Sequence, residues 1–188
     1  MNASPRSWIA PTQTDIAREA LAQIGTRSDI TSIADNTVEA KYVTILFDPI
    51  RDFLLVDGDY DWSTRWVVPV AYGVPAPPWK YVYPYPPDAL RIRQLIPLQF
   101  EALDPRPVEW SITGTDVTST KVVTNVEIGY IYYTAAVDTM FWDAMFRQAF
   151  VRMLASALAF ALENRIEASK EKLDEALGFA GIAKLRDM

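Results

Sequence analysis

The apolar residues of this chain change period twice, and that change limits the fold more than any other feature. Between Asp57 and Thr134, apolar and polar residues alternate in short runs separated by prolines and turn residues; on both sides they recur at helical spacing. Period two makes half-buried strands, whereas recurrence every three or four residues makes helices with one buried stripe. The order predicts an α+β fold: a bundle of about four helices with a β-rich, mostly antiparallel insertion between the second and third. Residues 12–56 hold the first two helices, 57–134 the insertion, and 138–188 the last two helices and a C-terminal tail, within one chain of 188 residues. That length suits one domain, in which the helical and strand parts could fold as sub-domains.

Local signals place the elements. Thr12 and Asp15 stand in a capping-box arrangement, Ile16, Ala20, Leu21 and Ile24 follow at helical spacing, and Gly25 sits where a helix commonly ends. A second helix is expected from about Asn36, with Glu39 closing its cap and Val38, Tyr42, Ile45, Leu46, Ile50, Phe53 and Leu54 as its buried stripe. Pro49 predicts a kink there, since a mid-helix proline costs roughly 3 kcal/mol. Strands are expected at Thr64 to Val70, Trp79 to Tyr85, Leu90 to Leu95, Val108 to Ile112, Lys121 to Val123 and Val126 to Tyr133, forming one small sheet, with a turn at Pro86-Pro87-Asp88. A third helix should run from Phe141 to about Asn164, burying Phe141, Met145, Ala149, Phe150, Met153, Ala157, Leu158 and Ala161. The last should begin near Ile166, with Leu173, Ala176, Leu177 and Ala180 as its apolar face.

Composition narrows the chemistry. The chain has no Cys, which removes disulfides, thiolate metal sites and cysteine nucleophiles, and no His, the commonest general base and metal ligand. Carboxylate or lysine chemistry is all that remains, so the expectation is a protein that is not an enzyme and has no cofactor or metal. The net charge of −6 disfavours tight phosphate binding. Six Trp, nine Tyr and eight Phe exceed the needs of one small core and suit a protein with interfaces to bury. No apolar leader is visible over Met1 to Pro11, and Met140 to Leu162 carries Asp143, Arg147, Gln148 and Arg152, charges and amides that a bilayer would penalise.

Four features invite a functional reading. Asp57-Gly58-Asp59-Tyr60-Asp61 resembles the start of a calcium loop, but Trp62 and Val68 occupy positions that need Gly and Glu, so a helix-ending turn is favoured. Trp79, Tyr81, Tyr83 and Tyr85 alternate on one strand face and suit core packing or a subunit contact better than a stacking platform. Arg91 and Arg93 alternate with Leu90 and Ile92, as on a strand wet on one side, and Arg152 suits an intersubunit ion pair or a snorkelled edge position. Gly178 and Gly181 weaken the last helix by about 1 kcal/mol each, which fits either a fraying end or a tail that orders against a partner.

Read in order, AREALAQIG (Ala17 to Gly25), ITSIADNT (Ile30 to Thr37), RDFLL (Arg51 to Leu55), WKYVYPYPPDALRIRQL (Trp79 to Leu95), SITGTDVTST (Ser111 to Thr120), VEIGYIYY (Val126 to Tyr133) and FWDAMFRQAFVRMLASALAFAL (Phe141 to Leu162) resemble the tail tubular protein A family, the head-to-tail adaptors or gatekeepers of short-tailed phages. Pro49 and the short stretch after the last helix depart from the family pattern. The resemblance implies a structural virion protein of the phage neck, assembled in the host cytoplasm into a homo-oligomeric ring, usually of twelve copies. Such a ring docks on the portal protein at one end and receives a tail tubular protein B-like nozzle at the other. DNA passes through its lumen during packaging retention and ejection without specific binding, and no membrane is involved. On this reading the portal contact falls on Leu177, Phe179, Ile182, Lys184, Leu185 and Arg186, and the intersubunit or nozzle contact on Trp79, Tyr81, Tyr83, Arg91 and Arg93. Another neck or connector protein, a β-rich carbohydrate-binding module using the aromatic strand, and a carboxylate-dependent hydrolase are the alternatives. Acidic balance and the lack of His and Cys lead to one expected outcome: duplex DNA is not retained in a gel shift at physiological salt. Salt-sensitive binding below micromolar concentration would contradict it.

Overall fold

A computed structural model describes residues 11–26, 30–98, 108–114, 119–163 and 166–187. The fold is α+β, and the chain divides into two compact units: Met1–Gly58 with Val137–Met188, and Asp59–Ala136.

The first unit contains α1 (Gln13–Gln23), α2 (Val38–Gly58), α3 (Ala144–Glu163) and α4 (Ile166–Asp187). The capping box at the start of α1 is present: Asp15 N–H donates to Thr12 Oγ1 at 3.2 Å, and Thr12 N–H donates to Asp15 Oδ2 at 2.9 Å. At its end Gly25 takes a left-handed φ of 75°, letting Gly25 N–H reach Ala22 O and Thr26 N–H reach Leu21 O. That is the Schellman closure the sequence placed there. The cap of α2 falls on Thr37 instead of Asn36, with Ala40 N–H donating to Thr37 Oγ1 at 3.2 Å, and the helix continues through Pro49.

The predicted stripe of α2 is largely wrong. Ala40, Val43, Phe47, Leu54 and Leu55 are buried, whereas Val38, Tyr42, Ile45 and Phe53 are exposed and Leu46 and Ile50 half-buried. This helix is apolar on two sides, so two stripes satisfy the helical period and periodicity cannot choose between them. Tertiary packing chooses the side that puts the Phe47 ring 4.7 Å from Phe150 and 6.0 Å from Trp142.

α3 is the central helix of this unit, in contact with α1, α2 and α4. Among the described residues it alone is long and apolar enough to cross a membrane, and half of that stretch is buried within the protein. It starts at Ala144 and not at Phe141, because Met145 N–H donates to Asp143 Oδ1 at 2.8 Å and a separate 3-10 turn occupies Thr139–Phe141. Phe141 is therefore exposed, and Met145, Ala157 and Ala161 are only half-buried; Phe146, Ala149, Phe150, Met153, Leu154 and Leu158 form the core face. The expected end at Asn164 lies outside the described residues.

The second unit holds all six expected strands: β1 (Thr64–Val67), β2 (Tyr81–Pro84), β3 (Ala89–Pro97), β4 (Trp110–Thr113), β5 (Lys121–Thr124) and β6 (Ile128–Ala135). They form two sheets instead of one, in the orders β1-β6-β3 and β2-β5-β4, with every pairing antiparallel. β2 and β3 do not pair as a hairpin, because Pro84, Pro86 and Pro87 lack the N–H donors a ladder requires. The tight turn is nevertheless present, with Ala89 N–H donating to Pro86 O at 3.1 Å. One core draws from both sheets: Tyr83, Ile92, Leu95, Val122, Ile128, Ile131, Tyr133 and Ala135.

Three tyrosines in this unit have hydroxyls held above their ordinary value of 10.0: Tyr83 and Tyr85 by burial, and Tyr133 by burial and by its hydrogen bond to Asp88. A raised phenol favours the neutral form when folded, so its stabilisation is complete below pH about 10 and is lost as pH rises beyond that. Denaturant midpoints should therefore hold steady from neutrality to pH about 9 and fall above 10. The fall should be smaller in a Tyr83→Phe variant, and an identical alkaline decline in that variant would count against this assignment.

Candidate functional site

The expected portal-contact residues sit on the last three turns of α4. Leu177, Ile182 and Leu185 are exposed there, at 54%, 47% and 74%. Phe179 and Lys184 are engaged within their own unit: the Arg152 guanidinium lies 4.2 Å from the Phe179 ring centroid, and Lys184 Nζ pairs with Asp57. The side chain of Arg186 lies outside the described residues.

The segment after Ala176, expected to be weakly helical in isolation, is helical to Asp187 through both glycines. Ala176, Ala180 and Ala183 are buried at spacings of four and three. Small residues at that spacing allow α4 to approach its neighbours closely, and the packing offsets the cost of the two glycines. Neither Gly178 nor Gly181 has an atom within 4 Å of where a Cβ would stand, so both open onto free space on the outer face.

Arg152 joins α3 to α4. Its Nε donates to Glu175 Oε2 at 2.9 Å, and Lys172 Nζ reaches the same carboxylate at 3.1 Å. Hydrogen bonds from Lys172 and then Arg152 hold the Glu175 carboxyl below its usual range. The ion pair considered for a neighbouring subunit is thus formed inside the chain.

The expected intersubunit or nozzle residues divide between core and surface. Tyr83 is 1% exposed and its hydroxyl accepts from Ile128 N–H at 2.9 Å, so it offers no surface to a partner. That corrects its assignment to a contact: β2 lies over the core shared by the two sheets, which takes this side chain inward. Tyr81 stacks on Tyr83, with centroids 6.4 Å apart and planes at 15°, and is half-buried, as are Trp79 and Tyr85. Packed in this way, the aromatic strand is not a free platform for sugars or bases.

Arg91 is exposed as expected, but Arg93 is not: its side chain is only 14% exposed and pairs with Asp59. A register shift between Ile92 and Gln94 breaks the alternation that assigned Arg93 to the wet face. Burial holds its guanidinium below the ordinary arginine value.

Those pairings also account for the acidic turn. Asp57 meets Lys184, Asp59 at a φ of 59° meets Arg93, and Asp61 opens a 3-10 turn. Asp57 and Asp59 thus turn to separate partners, and among the described residues no group of three or more carboxylates could hold a metal ion.

Two apolar surfaces escaped sequence reasoning. One is the outer side of α2, with Val38, Tyr42, Ile45 and Phe53. The other runs from Trp66 through Val68, Val70, Tyr72 and Val74, with Trp66 edge-on to Tyr130 at 5.4 Å. The signal for the second was present: residues 62–87 contain no acid and place Val68, Val70, Tyr72 and Val74 at every second position. No protein-family model matches this chain, and no curated protein matches it.

The Arg152 contacts lead to a stability prediction. Arg152→Ala removes an ion pair, a cation–π contact and stem packing, and should cost roughly 1–2 kcal/mol in urea denaturation. Arg152→Lys should recover part of that loss. An unchanged midpoint in the alanine variant would show the contacts to be energetically empty.

Proposed function

We propose that this chain is a structural protein of the virion: the head-to-tail adaptor of a short-tailed phage, assembled as a ring of about twelve copies between portal and tail nozzle. The observation that carries the reading is exposed apolar surface on both units, at Ile45 and Phe53 on α2, Leu177, Ile182 and Leu185 on α4, and Trp66, Val70 and Val74 in the strand unit. Large apolar side chains in such patches are what a subunit buries in an assembly. The ordered resemblance to the tail tubular protein A family supports the same reading.

The absence of His and Cys from the whole sequence supports a role without catalysis. The acidic balance supports a wall that lets DNA pass without holding it, since like charge repels the phosphates. On this reading α4 meets the portal through Leu177, Ile182 and Leu185, which stand exposed on its last three turns. Phe179 and Lys184 act indirectly, by holding α4 to α3 and to the end of α2. The strand unit serves neighbouring copies and the nozzle.

The test combines portal co-sedimentation with negative-stain imaging. The unaltered protein should co-sediment and appear as rings on portals. A double substitution Ile182→Asp with Leu185→Asp should lose docking with an unchanged melting curve, because both positions are exposed and the new charges would be buried unpaired at the contact. Full docking by that variant, or a parent that never decorates portals, would defeat the proposal.

A further inference from the structure

The Glu19 carboxylate of α1 and the Arg152 guanidinium of α3 are joined through one amide. Gln148 Nε2 donates to Glu19 Oε1 at 3.1 Å, and Arg152 Nη1 donates to Gln148 Oε1 at 2.6 Å. Arg152 Nε then donates to Glu175 Oε2 on α4 at 2.9 Å, and its guanidinium faces the Phe179 ring. Lys172 Nζ closes the far end on Glu175 Oε1 at 3.1 Å. Arg147 Nη2 lies 4.0 Å from Glu19 Oε2, beyond hydrogen-bond reach, so it balances that carboxylate's charge without orienting it. Glu19, Gln148, Arg152, Lys172 and Glu175 are all half-buried, where water competes less and linked hydrogen bonds polarise one another.

Position 148 therefore has a narrow chemical requirement. A carboxylate only accepts and a guanidinium only donates, so the group between Glu19 and Arg152 must donate at one atom and accept at another. The glutamine amide does both at once, and its two partners fix which way it faces. A glutamate there would oppose Glu19, a lysine would oppose Arg152, and a methionine of similar length would bond to neither. Gln148 and Arg152 stand one turn apart on α3, and α1 and α4 both lie against that helix, so the line of bonds crosses the element they share.

We propose that Gln148 is a positioning residue that couples α1 to α4. Through its amide, the Glu19 carboxylate sets the place of the Arg152 guanidinium, and Arg152 in turn holds Glu175 and Phe179 of α4. Coupling between two sites is reciprocal, so whatever docks on the exposed side of α4 is felt at α1, and a change at Glu19 is felt at α4. The relay belongs to the chain's own helices and holds whichever partner α4 meets. Its failure leaves portal docking as it stands, and the reverse is equally true.

Amide hydrogen exchange on the full chain tests the relay, with α4 (residues 172–183) read against α2 (residues 43–55), which the bonds do not reach. Glu19→Ala lies on α1, yet it should speed exchange in α4 by about threefold or more relative to α2. Gln148→Met should do the same, and Gln148→Glu at least as much. Adding Glu19→Gln to Gln148→Glu exchanges the two ends of one bond: the new amide donates to the new carboxylate, which still accepts from Arg152. That double variant should return α4 to within about twofold of the parent, which two independent losses would not do. If Gln148→Glu melts too low to be read alone, Glu19→Ala and the double variant decide. Unchanged α4 exchange in Glu19→Ala, an equal rise in α2 and α4, or a double variant as fast as Gln148→Met would each overturn the proposal.

Discussion

The helical unit depends on the burial of α3, which touches α1, α2 and α4 and carries Phe146, Phe150, Leu154 and Leu158 into one core. Because α3 follows the strands in sequence, that core can form only when the chain returns after residue 136 to the helices that precede residue 59. Closing so long a loop costs entropy that grows only slowly with its length, and a dense aromatic contact is well suited to offset it. Phe47 supplies the early side of that contact, and Trp142, Phe146 and Phe150 supply the late side. The Trp142 indole N–H donates to Val137 O at 3.2 Å, fixing the ring just where the chain re-enters the unit. Pro11 O receives the Thr139 hydroxyl at 2.8 Å and ties the start of α1 to the same junction.

The strand unit solves a different problem. Each of its sheets has three strands, too few to be stable alone in water without a covered face. Sharing one core between the two sheets covers both faces at once. Tyr83 contributes a large ring to that core and satisfies its hydroxyl on the Ile128 backbone, so the polar end of the side chain does not destabilise the interior. Gly114 occupies a φ of 135°, with Ser119 O only 2.6 Å from where a Cβ would stand, so no other residue fits between β4 and β5 at that point.

Once both cores are complete, much apolar surface is left over, part of it on one side of α2, on the outer turns of α4 and along the segment after β1. Intrachain ion pairs sit beside two of these surfaces: Arg152 with Glu175 under α4, and Arg51 with Asp48 and Asp52 on α2. A pre-ordered surface gives up less entropy on assembly than a floppy one, which suits the adaptor reading.

Where a single local rule sufficed, the residues specified the outcome. The Thr12 cap and the Gly25 closure, all six strands, the proline turn before Ala89 and the α+β class follow from period, capping chemistry and turn chemistry, which act within a few residues. Choices between equivalent local solutions lay beyond it. The buried side of α2 was undetermined because the helix carries apolar residues on two sides, and only Phe150 and Trp142 distinguish them. Whether the strands formed one sheet or two depended on β5 and β6 each taking two partners, a non-local pairing that alternation does not encode. Of the candidate site, Leu177, Ile182 and Leu185 were legible as an apolar tail, but the burial of Tyr83 and Arg93 and the engagement of Phe179 and Lys184 were not. Sequence determined which elements form, because that is settled by backbone and side chain over one or two turns; tertiary structure alone decided which faces they bury and which remain for a partner.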